Sequence, residues 1–257
     1  MNLLSKENLL ANLQDLGRGV VQEMRNDIES VVERDPAARN FVEVALMYPG
    51  VHAVWAHRAS HAMWQRGAYL PARALSQVTR FLTNIEIHPG ATLGPRLFID
   101  HGAGVVIGET AEVGADVTIY HGVTLGGTSL DRGKRHPTVG DRVTIGAGAK
   151  VLGNLVIGSD SRIGANSVLL RSVDDHSVVV GVPGQVIAAG GSPEVDTRPK
   201  HDSPSTPDPI GLAVSTLMTR VQQIEAHVLG VEHHHHGPRR RPSGEWELEV
   251  DDVDFVI

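Results

Sequence analysis

The chain has 257 residues and a formal net charge of −7, and it contains 28 glycines but only 4% aromatic residues. It has no cysteine, which excludes disulfides, thiolate metal sites and a cysteine nucleophile. Residues 245–257 hold six acids and no base, so the rest of the chain is nearly neutral and has no basic excess that would favour nucleic acid. Because it has no apolar run long enough for a membrane helix or a signal peptide, we expect a cytoplasmic protein without membrane contact.

Residues 1–85 contain four glycines and predict an N-terminal helical domain. Amphipathic stretches cover residues 3–33 and 51–64. A third stretch, residues 71–84, opens with a proline at a first-turn position, which is typical of a helix start.

Residues 86–190 repeat an aliphatic residue every six positions. A period of six fits neither a helix nor a plainly alternating strand, but it is typical of a parallel β-helix built from hexapeptide repeats. Eight of the thirteen repeat residues are followed directly by glycine. The thirteen are Ile87, Leu93, Ile99, Ile107, Val113, Ile119, Leu125, Val139, Ile145, Val151, Ile157, Ile163 and Leu169. We therefore predict a narrow solenoid with an aliphatic core.

The repeat is broken twice, and insertions in a solenoid become loops that often bind ligands. Two residues are extra between Ile99 and Ile107, and about eight are extra in the segment 126–138. With three hexads to a coil, His101 and His121 are separated by one full coil plus the two inserted positions, so we expect them to stack on adjacent coils. We also expect Asp100 and the Arg135–His136 loop at the same edge.

Histidines at such an edge allow three interpretations. A histidine held by a carboxylate is able to act as a general base on a hydroxyl. Stacked histidines could instead bind zinc, as in solenoid carbonic anhydrases. The third interpretation is a purely structural histidine, which we favour for His52, His57 and His61, and we assign no site to the run 233–236.

Seven motifs together resemble the bacterial serine O-acetyltransferases and span residues 35–187. They are RDPA (34–37), EIHPGA (86–91), FIDHGAGVVIGET (98–110), YHGVTLGGT (120–128), KRHPTVG (134–140), IGAGAKVLG (145–153) and GVPGQVI (181–187). The resemblance implies an α+β fold in which helices precede a left-handed parallel β-helix. It also implies direct transfer of acetyl from acetyl-CoA to the serine hydroxyl, with no metal and no permanently bound cofactor.

The resemblance implies roles for individual residues. His101 matches the general base, and Glu86 stands where many members carry the aspartate that orients this base. Asp35 and Asp100 match the acids that hold the substrate ammonium. The pair that grips the carboxylate is matched by Arg135 and His136. The residues that line the acetyl-CoA groove are matched by Gly127, Thr128, Ala147 and Ala165.

Residues 191–257 form a predicted third region with a proline-rich linker, a helix at about 210–231 and an acidic tail. The helix carries an a/d heptad stripe, which predicts a parallel three-stranded coiled coil that clamps a trimer; the alternative is one helix folded back on its own chain. The tail resembles those with which serine acetyltransferases dock O-acetylserine sulfhydrylase through a terminal isoleucine, here Ile257. The alternative is a disordered, solubilising tail.

The leading prediction is therefore a serine O-acetyltransferase for cysteine biosynthesis, as a homotrimer or a dimer of trimers. An acetyltransferase of the same class acting on homoserine or a sugar is the second prediction, although Asp35, Arg135 and His136 suit a zwitterion better than a sugar. A zinc-dependent carbonic anhydrase and a binding protein that regulates a sulfhydrylase are the remaining alternatives.

Overall fold

The computed structural model describes residues 3–188, 216–221, 223–224, 239–240 and 246–247, with side chains described at residues 19–187, 216–221 and 223–224. The chain divides into two compact units, Met1–Thr197 and Arg198–Ile257, and each is described by itself.

The first unit begins with four helices: α1 (Leu3–Arg34), α2 (Phe41–Met47), α3 (Pro49–Gln65) and α4 (Tyr69–Thr83). The three predicted helices are confirmed as α1, α3 and α4. The sequence did not predict α2, which has only seven residues. Its N-terminus is nevertheless capped by Asn40, whose side chain accepts a hydrogen bond from the backbone N–H of Glu43.

Fifteen short strands follow and form the solenoid. They are β1 (Glu86–Ile87), β2 (Thr92–Leu93), β3 (Phe98–Asp100), β4 (Val106–Ile107), β5 (Glu112–Val113), β6 (Thr118–Tyr120), β7 (Thr124–Gly126), β8 (Thr138–Val139), β9 (Thr144–Ile145), β10 (Lys150–Leu152), β11 (Val156–Ile157), β12 (Arg162–Ile163), β13 (Val168–Leu169), β14 (Val178–Val180) and β15 (Gln185–Ala188).

The strands stack into three sheets. Sheet A contains β1, β4, β7, β10 and β13, sheet B contains β2, β5, β8 and β11, and sheet C contains β3, β6, β9, β12, β14 and β15. Pairing among these strands is parallel except between β14 and β15. Each coil thus runs through sheets A, B and C in turn and has three corners, called here A/B, B/C and C/A.

The aliphatic column predicted from the hexads forms the core. Twelve of its thirteen residues are buried, and Leu93 is partly buried against the same cluster. Among the described residues, aromatic side chains are absent from this cluster, so the scarcity of aromatics follows from the narrow coil. The predicted parallel β-helix after a helical region is confirmed.

Two contacts fix the helices on the solenoid. The half-buried guanidinium of Arg34, at the end of α1, donates to the carbonyls of Asp116 at 3.0 Å and Val117 at 3.3 Å. At the start of α3, a Cβ on Gly50 would stand 2.2 Å from the carbonyl oxygen of Ile99, so only glycine permits this approach to β3. Arg34 directly precedes Asp35, and Ile99 directly precedes Asp100. The two contacts therefore position these two candidate residues.

In the second unit, β16 (Arg239–Arg240) pairs antiparallel with β17 (Trp246–Glu247). Residues 216–221 and 223–224 are helical, within the helix predicted at about 210–231. The rest of that predicted helix, the run 233–236 and residues 248–257 of the tail lie outside the described residues, so the coiled coil stays a prediction. In the part of the chain that is described, no helix is both long and apolar enough to cross a membrane.

Candidate active site

His101 lies on a two-residue insertion at the C/A corner. Asp100 pairs with Tyr120 of the next coil, whereas Val106 pairs with Thr124, so the offset between paired strands shortens by two positions from one pair to the other. The backbone N–H of Gly122 donates to the carbonyl of Ala103, which puts Ala103 beside His121 and leaves His101 and Gly102 as the inserted pair.

The insertion exposes the imidazole of His101 to solvent. His101 has a φ of +58°, which is uncommon for a residue with a Cβ. Gly102 follows with a φ of +68°, and a Cβ there would stand 2.4 Å from Cδ1 of Ile85. The His101 and His121 rings meet edge to face with centroids 5.9 Å apart, which confirms the predicted stacking.

Two carboxylates share the neighbourhood of Tyr48 and Tyr120. Asp35, in the turn after α1, accepts hydrogen bonds from the Tyr48 hydroxyl at 2.7 Å and from the Ala37 backbone N–H at 2.8 Å. Burial raises the pKa of Tyr48 to about 12, and the charges of Asp35 and Asp100 add to this. Burial also raises the pKa of Tyr120, again with Asp100 and Asp35 contributing. Asp35 and Asp100, the two predicted ammonium-binding acids, therefore both lie near Tyr48 and Tyr120.

The predicted cationic pair lies at the A/B corner, where the 126–138 loop leaves after β7 and returns at β8. The Arg135 guanidinium forms an ion pair with Glu109, and it holds the pKa of that carboxyl below its usual range. His136 is buried, whereas Gly127 and Thr128 at the start of the loop are exposed. Burial lowers the pKa of His136, and the charge of Arg135 adds to the effect.

The expectation that His101 and the cationic loop gather on one edge is wrong for the single chain. His101 follows sheet C, and Arg135 and His136 follow sheet A, so strand β4 of sheet A runs between the two corners. The reason is the hexad count: the loop begins one hexad after the one that carries His121, and successive hexads lie on successive sheets.

The remaining predicted residues divide in the same way. Glu86 is on β1 of sheet A, where it forms an ion pair with Arg80 of α4 at 3.2 Å; its role as the partner of His101 stays a prediction. Backbone hydrogen bonds put His121, Ala147 and Ala165 in one column at the C/A corner: Gly148 donates to the carbonyl of His121, and Asn166 donates to that of Ala147. The small alanines continue the His101 corner along the solenoid.

Sequence reasoning missed several residues that shape these corners. Tyr48 is not part of any periodic pattern in the sequence. Thr110 ends the motif 98–110, but the sequence indicated no role for it. A cavity of about 360 Å³ lies beside the loop and is lined by Trp64, Gly90, Thr92, Glu109, Thr110, Ala111, Glu112 and Lys134. Within the described ranges, no group of three or more histidine or acidic side chains is arranged to hold a metal ion.

Comparison with known proteins agrees with this architecture. One matching family model is described as bacterial transferase hexapeptide (six repeats) and covers residues 136–171. The fold and this match define a hexapeptide-repeat transferase. A second model, described as serine acetyltransferase, N-terminal, covers residues 5–56.

Individual relatives specify the family. A serine acetyltransferase of Mycobacterium tuberculosis is 59% identical over 206 residues, which cover 79% of this chain and 87% of that protein. Two solved serine acetyltransferases are each 41% identical to this chain. That of Neisseria gonorrhoeae in complex with serine has a TM-score of 0.64, and the match covers 66% of this chain and 70% of that one. That of Brucella abortus in complex with coenzyme A has a TM-score of 0.67, and the match covers 70% of this chain and 72% of that one. The chain belongs to the serine acetyltransferase family and is an acyltransferase.

Proposed function

We propose that the enzyme transfers acetyl from acetyl-CoA to the hydroxyl of L-serine, giving O-acetyl-L-serine for cysteine biosynthesis. His101 removes the hydroxyl proton, and the freed oxygen attacks the thioester carbonyl, so that CoA leaves as the thiol. Glu86 orients His101. Acetyl-CoA is a co-substrate, and no permanently bound cofactor takes part.

The observation that carries this proposal is the setting of His101. Its imidazole is exposed on a glycine-backed insertion, so a substrate hydroxyl is able to reach it. Asp100 precedes it directly, and Asp35 acts on the same two tyrosines as Asp100. Two carboxylates beside an exposed base suit an acceptor with both an ammonium and a hydroxyl group.

Arg135 and His136 bind the carboxylate of the same serine in this proposal, which requires a second chain because the two corners are separate. In a homotrimer, the C/A corner of one chain faces the A/B corner of its neighbour. Gly127 and Thr128 from one side and Ala147 and Ala165 from the other then line the groove for acetyl-CoA. The relatives solved with serine and with coenzyme A support both substrates.

The test is CoA release from acetyl-CoA with L-serine, L-homoserine and acceptor sugars. We expect L-serine to be preferred and His101→Ala to lose nearly all activity. The matched control is His176→Ala, because His176 is an exposed solenoid histidine with the same φ of +58° at a different corner. Equal loss in both variants, or full activity of His101→Ala, refutes the assignment of the base.

We also propose that the acidic tail docks O-acetylserine sulfhydrylase through Ile257. Acidic residues along a peptide steer it toward a positive cleft, and the terminal isoleucine supplies an apolar anchor beside its carboxylate. Deletion of Ile257 is expected to abolish co-purification with the sulfhydrylase and to leave acetyl transfer unchanged. A complex that survives the deletion refutes the docking role.

A further inference from the structure

The hydroxyl of Thr110 holds the end of the 126–138 loop. Its Oγ1 accepts hydrogen bonds from the backbone N–H groups of Arg135 at 3.0 Å and His136 at 3.1 Å. The same oxygen lies 2.9 Å from Nδ1 of the His136 ring. Since both lone pairs of the oxygen are taken by N–H donors, its own hydrogen is left for Nδ1. One side chain therefore fixes the backbone of both loop residues and one ring nitrogen.

The same ring nitrogen receives a second hydrogen bond. The backbone N–H of Thr110 donates to His136 Nδ1 at 3.2 Å. A ring nitrogen that accepts from an N–H group carries no proton itself, so the neutral ring bears its proton on Nε2. Burial lowers the pKa of His136, with Arg135 adding to the effect, which favours this neutral ring over the imidazolium.

The His136 ring packs against two glycines, which have no side chain. A Cβ on Gly108 would stand 2.0 Å from Cδ2 of His136, so the imidazole occupies space that any other residue at 108 would fill. Nε2 would stand 2.1 Å from that same Cβ and 3.3 Å from a Cβ on Gly127, so this nitrogen lies between Gly108 and the start of the loop, where Gly127 belongs to the proposed acetyl-CoA groove. The Lys134 ammonium donates to the carbonyl of Thr110 at 2.8 Å, which adds a further hydrogen bond between the loop and Thr110.

We propose that Thr110 is a positioning residue that holds His136 as the Nε2–H tautomer and presents that N–H to the substrate carboxylate. The inference rests on the proposed function, in which Arg135 and His136 bind this carboxylate. An N–H at Nε2 donates to a carboxylate oxygen, whereas the other tautomer would turn a lone pair toward it. Arg135 supplies the charge, and His136 supplies a neutral donor with a fixed direction.

The test compares Thr110→Val, which removes the hydroxyl at nearly constant shape, with Thr110→Ser, which keeps it. The matched control is Thr144→Val, the same change on β9 of sheet C. Two measurements are made on each protein: KM and kcat for both substrates, and the ¹⁵N NMR signals of the histidine rings, with those of His136 assigned by their loss in His136→Gln.

In the wild type we expect a protonated Nε2 and an unprotonated Nδ1 at His136. Thr110→Val shifts the ring part of the way toward the Nδ1–H form, because the backbone N–H of residue 110 still donates to Nδ1. It raises KM for serine by about ten- to a hundredfold, because two backbone N–H groups lose their acceptor and the ring loses one of its two donors. KM for acetyl-CoA stays unchanged. Thr110→Ser and Thr144→Val keep the wild-type spectrum and a KM for serine within about threefold of the wild type.

A wild-type ring protonated at Nδ1 overturns the proposal even if Thr110→Val does not fold. An unchanged ring spectrum in folded Thr110→Val overturns it as well, and so does a changed tautomer with an unchanged KM for serine. Failure of the proposed function is distinguishable, because in that case the wild-type enzyme itself forms no O-acetylserine, while the ring spectrum still reports on the contact between Thr110 and His136.

Discussion

Two inactive variants should restore activity when their chains assemble together. His101→Ala removes the proposed base at the C/A corner, and Arg135→Ala removes the proposed carboxylate anchor at the A/B corner. Gly104 and Gly108, which flank β4, are four residue steps apart, or about 13 Å along the strand. The ion pair with Glu109 keeps the Arg135 side chain at its own corner, so the two groups do not meet within a chain.

The size of the recovery follows from counting sites in a three-fold ring. When the two variants are expressed equally, about three quarters of the trimers contain both, and each of these has one of its three sites built from two intact corners. The expected activity is therefore about a quarter of the wild-type value. Wild type mixed equally with the double variant should also give about a quarter, whereas sites formed within one chain would give about a half.

The assay is CoA release by the whole co-expressed population, purified through a tag that both chains carry, while a second tag that differs between the two chains shows that mixed trimers form. Doubly tagged trimers isolated on their own should reach about a third of the wild-type activity, since each has one of its three sites intact. Separately purified variants, mixed without exchange of subunits, serve as the control. If doubly tagged trimers are obtained and their activity does not exceed the sum of the two parents, the site does not form between chains.

Four further outcomes are expected. Gly50→Ala should lower the free energy of unfolding by about 2 kcal/mol or more, because its Cβ overlaps the carbonyl of Ile99, and a Tm measurement checks this. Gly19→Ala, at a helical site with open space around the Cβ, should instead raise stability by about 0.5–1 kcal/mol. Burial, with the charge of the nearby His61 adding, lowers the pKa of His57 to about 3. At mildly acidic pH, His57 therefore binds a proton in the unfolded chain but not in the folded one. Stability should then fall below about pH 6.5, by about 2 kcal/mol at pH 5, and His57→Gln should remove this part of the pH dependence of Tm. Arg34→Lys should lower Tm and raise KM for serine, since an ammonium lacks the planar fork that reaches the carbonyls beside β6 and so holds the turn with Asp35; an unchanged KM would contradict this link.

Much of the solenoid follows from the sequence because its geometry is local. An aliphatic residue every six positions specifies which side chain points inward on each strand, and the two breaks mark where loops leave. The same residue count predicted that His101 and His121 stack. Their separation in the chain exceeds one coil of three hexads by the two inserted residues. The helix α2 was missed because seven residues are too few for an amphipathic period to stand out.

The separation of the two corners could also have been predicted from the sequence. The hexad before each insertion determines the sheet, and therefore the corner, at which the loop leaves the solenoid. What sequence reasoning could not supply were contacts between distant positions. Thr110 acts on Arg135 and His136 through hydrogen bonds between positions far apart in the chain, and these leave no periodic trace. The burial of His57 depends on how α3 packs against α4 and the solenoid, and no local pattern gives that information.

Both insertions leave the stacking of the coils intact. After the first, the regular alignment of three hexads to a coil returns at once, with Val106 beside Thr124. After the second, Thr138 pairs with Val156, again three hexads further along the chain. Because each coil of a solenoid contacts only its neighbours, the exposed loop residues 127–134 are able to change in number or composition without any repacking of the aliphatic column. Selection for a new acceptor and selection for a stable fold would therefore act on different residues, and variation in the loop would carry little penalty in folding.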